Sequence, residues 1–468
     1  MRVFRSAARW IFLVTLFVAP WMYGGTTATS IATINLLLGA ALVLWVLEVL
    51  VNRRFPLLPR IFFGVSVALL SLGWWMVLNA SSIYDSQFYL FIPLRRFIDH
   101  APGSVDYAIS VAWMLRATLL IGATWLAAEL SQDSHWLLRL WWTIGLAGGS
   151  IALLGLVQKA TGAEMIFWQH ALPDDVKTFF ATYYYHANAG AFLNLVLPPI
   201  AGLAIRAFTK PESSAVRALW LSTLIFIIVA VVANTSRLAQ LIAVGMMIAL
   251  MIRFARRIFR DLSKAERGLA LIGVVVVLFT LFAVAQASRL DQPLKRWHSF
   301  KENFLMDARW IASRSACDAL GDVGLLGFGP GTFRVVFPYY SAPFANRITG
   351  VWRFLHNDYL QTILEGGWLG ASLWGFLFFG GMAVGIRTLW RVCGVRFEEF
   401  CGRPSRPSSV ASIRSPRQRL FLTLSIFALC GVALHALADF PLQIASLQLY
   451  VATYLGVCWG AGGDESRK

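Results

Sequence analysis

The residues best suited to move a proton or hold an anion are one histidine and two arginines, each beside a turn. His356 stands directly before Asn357-Asp358-Tyr359-Leu360-Gln361, and the run continues through Thr362-Ile363-Leu364 to Glu365-Gly366-Gly367. Asn357 is a good helix N-cap, and Asp358 suits a first turn. Leu360, Ile363 and Leu364 recur at helical spacing, and the glycine pair is a stop signal. The pattern predicts a short amphipathic helix with His356 at its N-terminal end, where unpaired N–H groups favour anions. A histidine there can exchange a proton near neutral pH. The plain alternative is a histidine that caps or packs a loop.

Arg237 follows Thr235-Ser236 at a turn into an apolar run. A charge near a membrane-buried helix end is costly unless paired or functional; the plain alternative is an arginine snorkelling to headgroups. Arg309 stands in Asp307-Ala308-Arg309-Trp310-Ile311-Ala312, where a surface charge on an amphipathic helix is the plain reading. Gly324, Gly327, Gly329-Pro330-Gly331 and Phe333 form a turn-rich stretch. Such a stretch can offer backbone N–H groups to phosphate, but a tight turn is the plainer reading.

Other chemistries lack their residues. There is no Walker A sequence, no zinc-type cluster and no Asp-x-Asp pair for a metal–nucleotide sugar, and Asp174-Asp175 reads as a solvated turn. Cys317, Cys393, Cys401, Cys430 and Cys458 show neither disulfide nor metal spacing. No cofactor or metal is expected.

The elements that must position these residues are membrane helices. The chain of 468 residues is 58% hydrophobic and 14% charged, too apolar for a soluble core of this size. Runs of about 18 or more apolar residues, bounded by charge, are each long enough to cross a bilayer as a helix. Spans are expected near 10–23, 31–51, 61–80, 107–130 and 136–157, one opened by the motif at 183–190 and ending near 206, and further spans near 218–232, 237–253, 269–285, 368–390, 420–438 and 443–459. The fold class is therefore an all-α polytopic membrane protein with about twelve transmembrane helices. Three regions are expected. Residues 1–287 hold helices 1–9, 288–365 form a large extracytoplasmic loop, and 366–468 hold helices 10–12 with a basic connector.

The net charge of +17 follows from arginine-rich short connectors, the positive-inside pattern, and not from a nucleic-acid partner. Those connectors put both termini in the cytoplasm. The long loop, the Asn234–Arg237 turn and the Asp439-Phe440-Pro441 turn then share the opposite face.

Taken together the motifs resemble the O-antigen ligase/polymerase superfamily of bacterial envelope glycosyltransferases. The likeness rests on Asn188-Ala189-Gly190-Ala191-Phe192-Leu193 leading to Leu197-Pro198-Pro199, on Thr235-Ser236-Arg237, and on Arg309-Trp310 with Leu326-Gly327-Phe328-Gly329-Pro330-Gly331-Thr332-Phe333. It also rests on His356-Asn357-Asp358-Tyr359-Leu360 with Glu365-Gly366, and on His435–Gln443. The chain departs in having Val323-Gly324 where the family often has proline.

The resemblance implies glycan transfer from a polyprenyl-diphosphate carrier to an acceptor hydroxyl of lipid A–core or a similar glycolipid or glycan. The site would be on the periplasmic face of the bacterial inner membrane, within the lipid bilayer. It implies a metal-independent, inverting reaction with His356 as base. Arg237 and Arg309 would hold the diphosphate, and Asn357 and Tyr359 would contact substrate. A polymerase of the same superfamily, a protein O-oligosaccharyltransferase and a transporter are the alternatives. The clustering of polar groups at one face, not at the midplane, speaks against transport.

Overall fold

The computed structural model describes residues 2–53, 58–95, 97–169, 179–261, 308–348, 350, 352–400 and 415–462. The described residues are mostly helical. In order come α1 (Arg2–Trp21), α2 (Ala28–Val51), α3 (Arg60–Leu78), α4 (Tyr107–Gln132), α5 (Ser134–Ala160), α6 (His186–Thr209), α7 (Ser214–Ala233) and α8 (Arg237–Asp261). They are followed by α9 (Ala308–Val323), α10 (Phe333–Ser341), α11 (Asp358–Phe400), α12 (Pro416–His435) and α13 (Ala445–Gly460). Among the described residues, 10 helices are long and apolar enough to cross a membrane. The expected span at 269–285, the loop segment 288–307 and the Asp174-Asp175 turn lie outside the described residues.

Several expectations need correction. Between α3 and α4, where no element was expected, strand β1 (Ser82–Asp85) pairs antiparallel with β2 (Leu90–Pro93), Ser82 opposite Pro93. The large loop carries α9 and α10, so its described part is mostly helical. α8 runs past Arg253 to Asp261, and α11 past Trp390 to Phe400. No proline interrupts either extension, the first after Phe400 being Pro404. The last span is shorter than expected, because Pro441–Gln443 forms a 3-10 turn before α13 begins at Ala445.

α6 is the axis of the packing. It is buried along almost its whole length against α5, α7, α8, α12 and α13. Two prolines, Pro198 and Pro199, sit inside it. Pro199 has no N–H for the carbonyl four residues back, that of Leu195. The buried Tyr454 hydroxyl of α13 donates to that carbonyl at 2.9 Å. A backbone acceptor left open in a dry interior is thereby satisfied from a neighbouring helix.

Helix ends gather on two opposite faces. On one, Gln132 at the end of α4 donates to Gly460 O at 2.7 Å, and Gln418 in the first turn of α12 donates to Ser131 O at 3.1 Å. On the other lie the end of α1 and the starts of α6 and α13, where Tyr183 and Ser446 hydroxyls meet at 3.2 Å. The start of α11 joins this second face through Asp358, whose carboxylate accepts from Leu442 N at 2.8 Å and Gln443 Nε2 at 3.0 Å. This second face carries the candidate site.

Candidate active site

The local prediction around His356 is realised in detail. Asn357 Oδ1 accepts from the N–H groups of Tyr359 and Leu360, both at 3.1 Å, so it caps α11. The helix breaks at Gly367 (φ 63°, ψ −174°) and resumes as the following span. His356 itself has φ 59°, a left-handed backbone that costs a non-glycine residue about 1–2 kcal/mol. The surrounding contacts maintain it.

Those contacts define the site. His356 Nδ1 lies 3.1 Å from Asp439 Oδ1, in the turn between α12 and α13. The carboxylate is 4% exposed, while the imidazole keeps 18% of its surface open. Burial alone would raise the Asp439 carboxyl. The hydrogen bond with His356 and the positive fields of His356 and Arg309 outweigh it and hold the group at about 2. An ionised carboxylate only accepts hydrogen bonds. His356 Nδ1 therefore carries the proton it shares with Asp439, and Nε2 has no protein partner among the described residues. The ring is boxed edge-on by Phe440 at 4.7 Å, Trp352 at 5.4 Å and Tyr185 at 5.8 Å between centroids.

Tyr185 links the histidine to an arginine. Its hydroxyl lies 3.4 Å from Asp439 Oδ2 and accepts a short hydrogen bond from Arg309 at the start of α9. Arg309, Tyr185, Asp439 and His356 thus form one network drawn from four segments. Arg237 opens α8 beside it. Its turn is fastened to α6, where Asn234 Nδ2 donates to His186 O at 2.9 Å and Ser236 N–H donates to Asn234 Oδ1 at 2.8 Å. His186 follows Tyr185 directly in the chain, so the Arg237 turn and the Arg309 network share one anchor.

Two of the expected site residues also hold the local structure. Tyr359 donates its hydroxyl to Ala433 O at 2.8 Å, tying α11 to α12, and Asn357 uses its side-chain oxygen as the cap. The glycine-rich stretch is a tight turn and not a phosphate cradle. Phe328 N–H donates to Leu364 O and Gly329 N–H to Glu365 O, both at 2.9 Å. Gly327 (φ 76°) and Gly367 (φ 63°) meet backbone to backbone, and a Cβ on either would collide with main-chain atoms. The buried Glu365 carboxylate accepts from Gln361 Nε2 at 2.9 Å and Phe333 N at 3.4 Å, sealing the splice.

Tyr185 and Asp439 were not expected as site residues. The available signals were a carboxylate at the turn between the last two spans and a tyrosine opening a polar-started helix, both on the face of the long loop. Among the described residues no group of three or more His, Cys, Asp and Glu side chains stands together as a metal site.

The site can do two things chemically. An oriented imidazole with a free Nε2 can accept a proton. Guanidinium groups beside it can hold an anion through paired hydrogen bonds. Comparison with known proteins agrees with that chemistry. Residues 222–375 match the family model described as O-Antigen ligase. The match contains Arg237, Arg309 and His356 but ends before Asp439, and no curated protein matches the chain. The chain is a polytopic membrane protein whose residues 222–375 are similar to the O-antigen ligase family of membrane glycosyltransferases, which act on lipid-linked glycans.

Proposed function

We propose that this protein moves a glycan from a polyprenyl-diphosphate carrier to an acceptor hydroxyl, at the periplasmic face of the inner membrane. The observation that carries the proposal is the His356–Asp439 pair, joined through Tyr185 to Arg309. In the reaction, His356 Nε2 takes the acceptor's hydroxyl proton as its oxygen attacks the anomeric carbon. The bond from that carbon to the diphosphate oxygen breaks, and its electron pair leaves on the diphosphate. Arg237 and Arg309 neutralise the leaving charge, so no metal is required. Direct attack from the opposite side inverts the anomeric centre. Asp439 orients the imidazole and stabilises its protonated form, as a carboxylate does for a histidine base.

The ligase reading, with lipid A–core or a similar glycolipid as acceptor, is preferred. A polymerase using a second lipid-linked repeat shares the same chemistry. The deciding experiment incubates the purified protein with lipid-linked glycan and each acceptor in turn, with chelator present. Transfer to lipid A–core identifies a ligase, and transfer to a second carrier-linked repeat a polymerase. No transfer to any acceptor would defeat the proposal. The sidedness has its own check: a membrane-impermeant thiol reagent should label the exposed Cys317 of α9 from the periplasmic side. Labelling only from the cytoplasmic side would reverse the topology.

A further inference from the structure

Asp358 opens α11 just after His356 and Asn357. An acidic residue in a first turn ordinarily complements its own helix end. Here Asn357 already caps that end, and the Asp358 carboxyl turns to a distant part of the chain. One oxygen accepts from Leu442 N–H at 2.8 Å and the other from Gln443 Nε2 at 3.0 Å. The Asp358 N–H donates to Ala436 O at 3.0 Å. Ala436 and Leu442 stand at equal sequence distance on either side of Asp439. One residue therefore fastens both ends of the turn that carries the carboxylate partner of His356.

Neighbouring bonds complete the grip. Gln443 N–H donates to Phe440 O at 3.1 Å and closes the 3-10 turn, while its side chain returns to Asp358. On the other side of the histidine, Leu355 N–H donates to Gln361 Oε1 at 3.0 Å. His356 is thus held from both sides, as its left-handed backbone (φ 59°) requires. Such a conformation persists only where its surroundings fix it. Asp358 is 1% exposed and both its oxygens are occupied, so it offers nothing to a substrate directly. Its effect on the reaction must pass through Asp439. Along the chain His356 and Asp439 are 83 residues apart, whereas Asp358 joins them through one short segment and one set of hydrogen bonds.

We infer that Asp358, with Gln443, is the positioning residue of the His356–Asp439 pair: it sets the distance and angle at which the carboxylate meets Nδ1, and so the tautomer and aim of the imidazole. The consequence for transfer rests on His356 acting as the base, as proposed above; the consequence for the tautomer does not. A displacement of about 1 Å in a catalytic group can cost about 10²-fold in rate, so a clamp remote from the reacting atoms can control turnover without touching substrate.

The test uses the purified full-length protein and two readouts. The first is the imidazole nitrogen NMR spectrum of isotope-labelled protein at mildly alkaline pH, with the His356 signals assigned by their loss in His356→Ala. Wild type should show one tautomer, protonated at Nδ1, and Asp358→Ala should show both. The second is transfer from lipid-linked glycan. Asp358→Ala should lower kcat by about 10²-fold and leave KM for donor and acceptor unchanged. In an Asp439→Ala background the same substitution should cost no more than about 2-fold, because the two residues act through one contact. Asp358→Asn keeps an oxygen for Leu442 N–H, and the Gln443 amide can turn to meet its nitrogen, so it should recover most of kcat. Where Asp358→Ala does not fold, Gln443→Ala carries both readouts, with a loss in kcat of about 10-fold for one hydrogen bond. An unchanged single tautomer in the folded variant, or losses that multiply in the double variant, would overturn the inference. Mixed tautomers with wild-type transfer would uphold the clamp and tell against His356 as the base.

Discussion

Two charge clusters lie near opposite faces of this protein, and they are built differently. Near the face where α4 ends, Glu129 collects Arg5 at 2.7 Å, Arg9 at 2.8 Å and the indole N–H of Trp45 at 2.6 Å. Three donors converge on one carboxylate, and the cluster staples α1, α2 and α4 together. At the other face Asp439 holds one nitrogen of His356 and leaves the second available. The first arrangement uses charge to close a structure. The second uses it to aim a group at something that arrives from outside. Buried charge by itself therefore does not mark a site; an oriented group with unused capacity does.

The comparison breaks most decisively at His356. His356→Ala should lower single-turnover transfer by about 10²–10⁴-fold, the contribution of a general base, while donor binding persists. Near wild-type transfer by the folded variant would make the histidine a loop cap. Arg309→Ala should weaken both donor binding and turnover by about 10–100-fold. Lysine there should restore only part, since it lacks the planar two-pronged geometry. Arg237→Ala should behave alike, and full rescue by lysine at either position would show that charge alone suffices.

Glu129→Gln should give the opposite profile. Breaking a partly exposed cluster should cost about 1–3 kcal/mol of stability, read as a lower melting temperature in detergent. Transfer per folded molecule should be unchanged. A loss of transfer without a loss of stability would erase the distinction between the two clusters.

The smallest effect is with pH. Asp439 is held at about 2 against an ordinary 3.8. A depressed carboxylate contributes stability that is present above the unfolded value and lost as pH falls through the folded one. The contribution, roughly 2 kcal/mol, should therefore be complete above pH 4 and disappear between about pH 4 and 2. Asp439→Asn should flatten the stability profile in that window. An unchanged profile would mean that Asp439 is not ionised against His356.

The chain's own pattern determined that it crosses a membrane many times as helices, because apolar runs of sufficient length have no other stable form in lipid. It also determined the cap at Asn357 and the break at the glycine pair, since both depend on neighbours within a few positions. It brought Arg237, Arg309 and His356 into view through residue type and resemblance. Tertiary structure alone decided what each one meets. His356 and Asp439 are 83 residues apart, and Arg309 and Tyr185 are 124 apart. Periodicity records which face a helix buries, but not the helix it buries that face against. The role of Asp439 therefore emerged only when α12 and α13 folded back over the start of α11.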